Sequence, residues 1–183
     1  MFIQTEGTPN PSTLKFIPGC EVMGRAGTAN FTSAETAVRS PLAVRLFETE
    51  GVEGIFLGDD FVTVTKTDDK EWDILKPMIL GAIMEHFTDG KPVIEAGIDE
   101  NDDDDAADGS IEAQIKDLLD TRVRPAVAQD GGDIIFQSFE SGIVYLRMQG
   151  ACSGCPSSSM TLKNGVENML KHYIPEVLEV REA

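Results

Sequence analysis

Apolar side chains recur in short runs along the first half of the chain, and these runs predict two pairs of β-strands. The runs at residues 2–5 and 14–17 are separated by a Thr-Pro-Asn-Pro sequence, in which two prolines favour an extended or turning backbone. The runs at 54–57 and 61–65 flank a Gly-Asp-Asp turn sequence, which is typical of a β-hairpin. We therefore expect several short strands in this half.

Two helices are predicted among these strands. Ser40 followed by Pro41 is the pattern of an N-cap with proline in the first helical turn, and the helix is expected to extend through Phe47. A longer helix is expected after the hairpin, because apolar residues there recur at steps of three and four. They fall on one helical face: Trp72, Leu75, Ile79, Ala82, Ile83 and Phe87.

The second half opens with another amphipathic helix, which Ser110 is placed to cap. Pro125 lies inside the pattern and should kink the helix or loosen its last turns. Gly131 and Gly132 are expected to end it, because glycine adopts the left-handed conformation that helix C-termini often need. The apolar positions of the helix are Ile111, Ile115, Leu118, Leu119, Val123, Ala126 and Val127.

A second β-hairpin, a second helix and a last strand complete the predicted elements. The hairpin pairs residues 134–139 with 143–148 around a Glu-Ser-Gly turn. The helix covers about 157–173 and stops before a proline, and the strand covers 177–180. Mixed helices and strands without a detectable repeat place the chain in the α+β class, with two small mixed domains.

Charge divides the chain of 183 residues, whose formal net charge is −17. Residues 98–109 contain seven acidic side chains and no basic one, and almost nothing that could join a core. Like charges at this density repel, so the segment is predicted to be a flexible linker. The predicted domains are therefore 1–97 and 110–183, and the alternative is a solvated loop inside one domain.

The same composition disfavours several classes of protein. A strongly acidic chain lacks the basic surface that nucleic acid requires as a main partner. No stretch reaches the roughly 18 apolar residues of a membrane helix, and the first residues lack the features of a secretory signal. We expect a bacterial cytoplasmic location, or the mitochondrial matrix if the sequence is a trimmed mature form.

The candidate chemistry lies between the second hairpin and the last helix, where Cys152 and Cys155 form a Cys-x-x-Cys motif. Two intervening residues let both sulfurs face one metal centre from a tight loop, and Ser153-Gly154 supplies small residues for it. Pro156 suits the first position of the following helix. The positive end of that helix would favour thiolates and hydrogen bonding to a negatively charged cluster.

Counting ligands gives a second inference. Iron–sulfur clusters commonly use four thiolates, and a structural zinc site also needs about four ligands. The second domain has two cysteines, and the third, Cys20, belongs to the other domain and has no partner cysteine. If metal is bound, two copies of the chain related by a two-fold axis would supply the full set. We assign Cys20 no role.

Spacing alone leaves three alternatives open. The cysteines could be incidental, they could hold zinc across a dimer, or they could form a thioredoxin-like dithiol. Against the dithiol, proline follows Cys155 instead of lying between the two cysteines, and the flanking hairpin is not expected to form a βαβ unit. No Ser-His-Asp or Cys-His constellation is visible, so enzymatic turnover is not predicted.

Short stretches in both halves match the motifs of one family. In the second half they are Arg124-Pro125, Gln129-Asp130-Gly131-Gly132-Asp133 and Gly150-Ala151-Cys152-Ser153-Gly154-Cys155-Pro156-Ser157-Ser158. In the first half they are Thr8-Pro9-Asn10-Pro11, Leu14-Lys15-Phe16, Gly51-Val52, Phe61-Val62-Thr63-Val64, Leu75-Lys76-Pro77 and Glu85-His86-Phe87. By these stretches, residues 110–181 resemble the NifU C-terminal domain found in Nfu-type proteins, and residues 1–95 resemble the N-terminal domain that accompanies it.

The resemblance implies an iron–sulfur cluster scaffold or carrier with no catalytic residue. It implies that Cys152 and Cys155 bind a [4Fe–4S] cluster shared between the protomers of a homodimer. Upstream assembly machinery would load this cluster, and apo iron–sulfur proteins would receive it.

Other residues are predicted to be structural. Asp130 and Asp133 are interpreted as turn and helix-end caps. His86 and His172 lie at the ends of helices, positions that favour a cation, and a structural role is predicted for each. Four methionines in helical segments are predicted to fill the cores: Met78, Met84, Met160 and Met169.

Overall fold

The computed structural model describes residues 2–24, 27–95, 109–152 and 156–183, with the side chains of 156–159 outside the description. The chain divides into two compact units, Met1–Ile98 and Asp99–Ala183. The predicted acidic linker lies, except for its last residue, outside the described residues. Both units combine helices with a sheet, so the predicted α+β class is confirmed.

Unit 1 contains a five-stranded antiparallel sheet with strand order β1-β2-β5-β4-β3. The predicted hairpin is its centre, where Ile55 pairs with Val64 and Leu57 pairs with Val62. The strands are β1 Gln4–Gly7, β2 Thr13–Ile17, β3 Ala29–Phe31, β4 Val52–Leu57 and β5 Val62–Lys66.

The helices of unit 1 are α1 (Pro41–Phe47) and α2 (Trp72–Thr88), with a 3₁₀ turn at Thr36–Arg39. Ser40 caps α1 as predicted, because its Oγ accepts a hydrogen bond from the backbone N–H of Ala43 at 3.1 Å. The same hydroxyl donates to the Val93 carbonyl at 2.6 Å, which fastens the segment after α2 to the start of α1.

Helix α2 buries the predicted face but also presents apolar side chains to solvent. Leu75, Ile79 and Ile83 are buried in the core of unit 1. Met78 and Met84 are 51% and 43% exposed, so the prediction that they fill the core is wrong. In unit 2, Met160 is 69% exposed, whereas Met169 packs against the core, as predicted. A helix that is apolar on most sides cannot bury every face against one sheet.

Unit 2 is built on a three-stranded sheet of β6 (Gly132–Glu140), β7 (Ile143–Gly150) and β8 (Glu179–Glu182). Strands β6 and β7 form the predicted antiparallel hairpin, and β8 begins two residues later than predicted. Because β8 pairs parallel to β7, α5 (Pro156–Tyr173) crosses between two parallel strands. A βαβ unit is therefore present, contrary to expectation, so the strand topology does not disfavour a dithiol enzyme.

The helix predicted between Ser110 and Gly131 forms in three parts: α3 (Ile111–Leu118), a π turn (Leu119–Val123) and α4 (Arg124–Gln129). The disturbance predicted from Pro125 is this π turn, in which the N–H of Arg124 bonds to the Leu119 carbonyl five residues back. A π turn widens the coil and relieves the clash between a proline ring and the preceding turn.

The π turn also keeps one helical face directed at the sheet. In an unbroken α-helix, residues four apart drift around the axis by roughly 40° per step. The wider turn offsets this drift, and four residues at successive steps of four are all buried. They are Ile115, Leu119, Val123 and Val127. Ala126, also predicted to face inward, is exposed.

Among the residues that the structure describes, none of the helices combines the length and the hydropathy that crossing a lipid bilayer demands.

Candidate functional site

Cys152 lies just beyond the carboxyl end of β7, the middle strand of the unit 2 sheet. Gly150, the last residue of the strand, has φ +64°, a left-handed backbone that glycine adopts at little cost. The chain turns there and places Cys152 against the core, where it is only 4% exposed. The carboxyl ends of strands next to a crossover helix are a common place for ligand sites.

The Cys152 sulfur rests against the backbone of Gly132, at the start of β6. A Cβ atom added to Gly132 would lie 2.6 Å from the Cys152 Sγ and 3.0 Å from the Cys152 N. It would also lie 2.8 Å from the Gln149 carbonyl oxygen. Only a residue without a side chain fits, so the Gly131-Gly132 pair serves the cysteine as well as ending α4.

The turn at Gly131 is tied directly to the segment that carries Cys152. The N–H of Ala151 donates to the Gly131 carbonyl at 3.2 Å, and Gly132 pairs with Gly150 at the end of the hairpin. Gly131 itself has φ +78°, as expected for a glycine that ends a helix. The position of Cys152 is therefore coupled to the geometry of the α4–β6 turn.

Cys155 lies outside the described residues, and α5 begins at the next position, Pro156. The N-terminus of this helix of 18 residues therefore follows the motif directly. A helix N-terminus carries a partial positive charge and unpaired N–H groups, which favour a thiolate over a thiol. The motif thus lies where a strand ends and a helix begins.

A half-buried ion pair, which the sequence analysis did not predict, lies beside this turn. The Arg124 Nε and Nη2 donate to the two carboxylate oxygens of Asp133, each at 2.8 Å. The Asp133 carboxylate is 4% exposed and also accepts from the backbone N–H of Ile134. On its outer side, Arg124 reaches the exposed Asp120 at 3.0 Å through Nη1.

The interpretation of Asp133 as a simple turn cap is therefore incomplete. Its hydrogen bonds to Arg124 raise the pKa of the guanidinium above its usual range, while burial opposes the rise. Arg124 and Asp133 are nine positions apart, too far for a helical spacing pattern to signal the pair. The available signal was that both occur in the stretches carrying the family resemblance.

The remaining predicted residues lie away from the motif. Cys20 lies in unit 1, in a depression of about 580 Å³ that is also lined by Glu21, Asp59 and Asp60. No group of three or more His, Cys, Asp or Glu side chains is arranged to hold a metal ion within the described parts of the chain. Nothing there assigns Cys20 a role.

The two histidines differ from each other. His86 is fully buried at the end of α2, and burial lowers its pKa, with a further lowering from the charges of Arg45 and Lys91. His86 is structural, as predicted, but it packs in the core, where burial disfavours the charged imidazole that the helix end would favour. His172 is exposed in the last turn of α5, where a cation is favourable, and its ring contacts Tyr173 edge-on.

Comparison with known families accounts for both units. Residues 3–90 match the family model described as "Scaffold protein Nfu/NifU N terminal", and residues 115–181 match the "NifU-like domain". The chain belongs to the Nfu/NifU family. Its similarity to an Nfu-type protein with the accompanying N-terminal domain, expected from the sequence, is confirmed.

Individual relatives of this Nfu/NifU chain extend beyond it. It is 51% identical over 189 aligned residues to the "NFU1 iron-sulfur cluster scaffold homolog, mitochondrial" of Drosophila erecta. It is 50% identical over 183 residues to the protein of the same name from Drosophila willistoni. Each alignment covers the whole of this chain but only 65% and 63% of those relatives. The chain thus spans less than two thirds of their length.

Solved structures of parts of the fold also match. A NifU-like protein from Saccharomyces cerevisiae is 28% identical, with a TM-score of 0.48, over 53% of this Nfu/NifU chain and 87% of its own. A Staphylococcus aureus protein is 25% identical, with a TM-score of 0.40, over 45% of this chain and 99% of its own.

Proposed function

We propose that the chain is an iron–sulfur cluster scaffold or carrier, and that the cluster is its cargo. In this proposal Cys152 and Cys155 of two copies bind one [4Fe–4S] cluster between them. The cluster is then passed to apo iron–sulfur proteins after upstream assembly machinery has loaded it. The role is binding and delivery, without catalytic turnover.

The observation that carries the proposal is the place of the Cys-x-x-Cys motif in a chain of this family. Cys152 follows the middle strand of the sheet, and the motif leads directly into the N-terminus of α5. A positive helix end beside the motif stabilises thiolates and the negative charge of a cluster. Relatives about half identical over the whole of this chain are named iron–sulfur cluster scaffold homologs.

Ligand counting supports a shared cluster. A [4Fe–4S] cluster takes four thiolates, whereas the motif of one chain offers only Cys152 and Cys155. An interface with two-fold symmetry brings the same pair from each partner and completes the set. When each chain holds half of the ligands, loading and dimerisation are coupled.

A shared cluster also suits delivery. When the dimer opens, thiolates of a recipient protein can replace those of the carrier one at a time. A centre for permanent electron transfer would instead favour four ligands from one chain and burial.

The names of the relatives favour a mitochondrial matrix location, and the bacterial cytoplasm is the alternative.

Anaerobic reconstitution of the full chain with iron and sulfide tests the proposal. We expect about four irons and four sulfides per dimer, on size-exclusion fractions that show a broad absorbance lost in air. Cys152→Ser and Cys155→Ser should each abolish loading, whereas the matched variant Cys20→Ser should load normally.

Three results would contradict the proposal. Loading that survives loss of Cys152 or Cys155 would exclude those ligands. A dimer that takes up zinc and no iron would indicate a zinc-bridged binding module. A monomer that binds no iron but reduces a model disulfide would indicate a dithiol oxidoreductase.

A further inference from the structure

The Arg124–Asp133 ion pair connects the two ends of the chain segment against which Cys152 packs. Arg124 begins α4 and Asp133 is the second residue of β6, so the bidentate bond joins the two sides of the Gly131-Gly132 turn. Cys152 rests on the far side of the same turn, against Gly132. The ion pair and the cysteine therefore share one small piece of backbone.

Among the contacts that hold the turn, two come from different parts of the chain. One is the hydrogen bond from the Ala151 N–H to the Gly131 carbonyl, at 3.2 Å. The other is the Arg124 fork, whose two hydrogen bonds of 2.8 Å fix both the distance and the plane of the Asp133 carboxylate. Removing the fork would leave the turn to its backbone contacts, among them the Ala151 bond and the pairing of Gly132 with Gly150.

We propose that Arg124 is a positioning residue for Cys152: through Asp133 it holds the Gly131-Gly132 turn, and through that turn it sets the exposure and placement of the Cys152 sulfur. The inference rests on the proposed function for its consequence, because a misplaced sulfur would hold the cluster less well. The geometry itself is independent of any cluster.

Replacing Arg124 by lysine separates the effect of the two parallel hydrogen bonds from the effect of the positive charge. Arg124→Lys keeps the cation but cannot present two parallel N–H groups to one carboxylate. The matched control is Arg181→Lys, because Arg181 makes the same bidentate contact with Glu179 at 3.0 and 3.1 Å. That pair is exposed on β8, away from the turn.

Alkylation measures the exposure of the sulfur directly. In the full chain carrying Cys20→Ser and Cys155→Ser, Cys152 is the sole thiol, and its reaction with iodoacetamide should be slow because it is buried. We expect Arg124→Lys to speed the reaction by roughly tenfold to a hundredfold, from the loss of one hydrogen bond to a charged group. Arg181→Lys should leave the rate unchanged.

Dependence on denaturant separates positioning from general destabilisation. A local opening of the turn gives an alkylation rate that is flat at urea concentrations well below the unfolding midpoint. A merely structural role of Arg124 would instead give a rate that rises with urea as global unfolding does. That rise, or equal rates in the two lysine variants, would overturn the proposal.

Two further variants keep the test decisive. If Arg124→Lys does not fold, Asp133→Asn removes the charge from the other half of the fork and should act in the same direction. Asp120→Asn removes only the exposed outer contact of Arg124 and should change the rate by less than about fivefold.

The cluster provides a second readout in chains that retain both motif cysteines. Loss of the reconstituted cluster to an iron chelator should be faster in Arg124→Lys than in Arg181→Lys. If the unaltered chain takes up no iron, the proposed function fails, while the alkylation rates still decide the positioning role. Normal loading with identical alkylation and chelation rates would remove the positioning role alone.

Discussion

Replacing Gly132 by alanine is the most direct perturbation of the candidate site. The new methyl carbon would lie 2.6 Å from the Cys152 Sγ, 2.8 Å from the Gln149 carbonyl oxygen and 3.0 Å from the Cys152 N. Favourable contacts between carbon atoms lie at about 3.5–4.0 Å. Two of the three neighbours are backbone atoms, so the clash cannot be relieved by a side-chain rotation alone.

The expected cost follows from this geometry. The segment from Gln149 to Cys152 must move away from β6, which strains the terminal pairing of Gly132 with Gly150. Overpacking of this kind costs about 1–3 kcal/mol. Unit 2 should therefore unfold at a lower urea concentration, and the Cys152 sulfur should be displaced and react faster with iodoacetamide.

A matched glycine-to-alanine substitution in the same unit is expected to change its stability in the opposite direction. Gly165 lies within α5, and a Cβ added there has no atom within 4 Å. Gly165→Ala should stabilise unit 2 by about 0.5–1 kcal/mol, because alanine favours the helix.

The aromatic residues allow each unit to be followed by itself. The chain has one tryptophan, Trp72 in unit 1, and two tyrosines, Tyr145 and Tyr173, in unit 2. Urea unfolding followed by tyrosine fluorescence in a Trp72→Phe background reports on unit 2. A Gly132→Ala midpoint equal to or above that of the unaltered protein would refute the reasoning, because the glycine contact would then carry no steric cost.

Two further predictions concern unit 1 and the helix caps. His86 has a lowered pKa in the folded state, so below its ordinary value of about 6.5 the unfolded chain takes up a proton that the folded chain resists. Unit 1 should thus keep its full stability above about pH 6.5 and lose up to about 1.4 kcal/mol of unfolding free energy per pH unit below it. Unfolding followed by tryptophan fluorescence at pH 7.5 and 5.5 should show this loss. The loss should vanish in His86→Leu but persist in His172→Gln. Ser40→Ala should cost unit 1 about 2 kcal/mol, because Ser40 caps α1 and also bonds to Val93, whereas Ser110→Ala should cost unit 2 about 1 kcal/mol, because Ser110 only caps α3. Equal losses in the two serine variants would show that the Val93 bond contributes nothing.

Local signals in the sequence predicted most of the elements. The Ser40-Pro41 start of α1 and both hairpins depend on neighbouring residues, and the structure contains each of them. The start of α5 after the cysteine motif was placed within one residue. These features follow from capping, turn chemistry and apolar spacing, which act over a few residues.

Features that depend on distant residues were missed. The parallel pairing of β8 with β7 requires a crossover whose direction no local pattern specifies. The Arg124–Asp133 pair requires α4 to fold back onto β6, and the fit of Cys152 on Gly132 requires β6 to pair with β7. The exposure of Met78 was missed because hydrophobicity alone does not say which side of an apolar helix meets the core.

The π turn at Leu119–Val123 makes the number of residues in this helix matter as much as their identity. It is equivalent to one residue inserted into an α-helix, and deleting a residue from it would rotate everything downstream by about 100°. Arg124 would then turn away from Asp133, even though every side chain of the ion pair were still present. In this part of the chain a one-residue deletion would act as a site mutation at a distance.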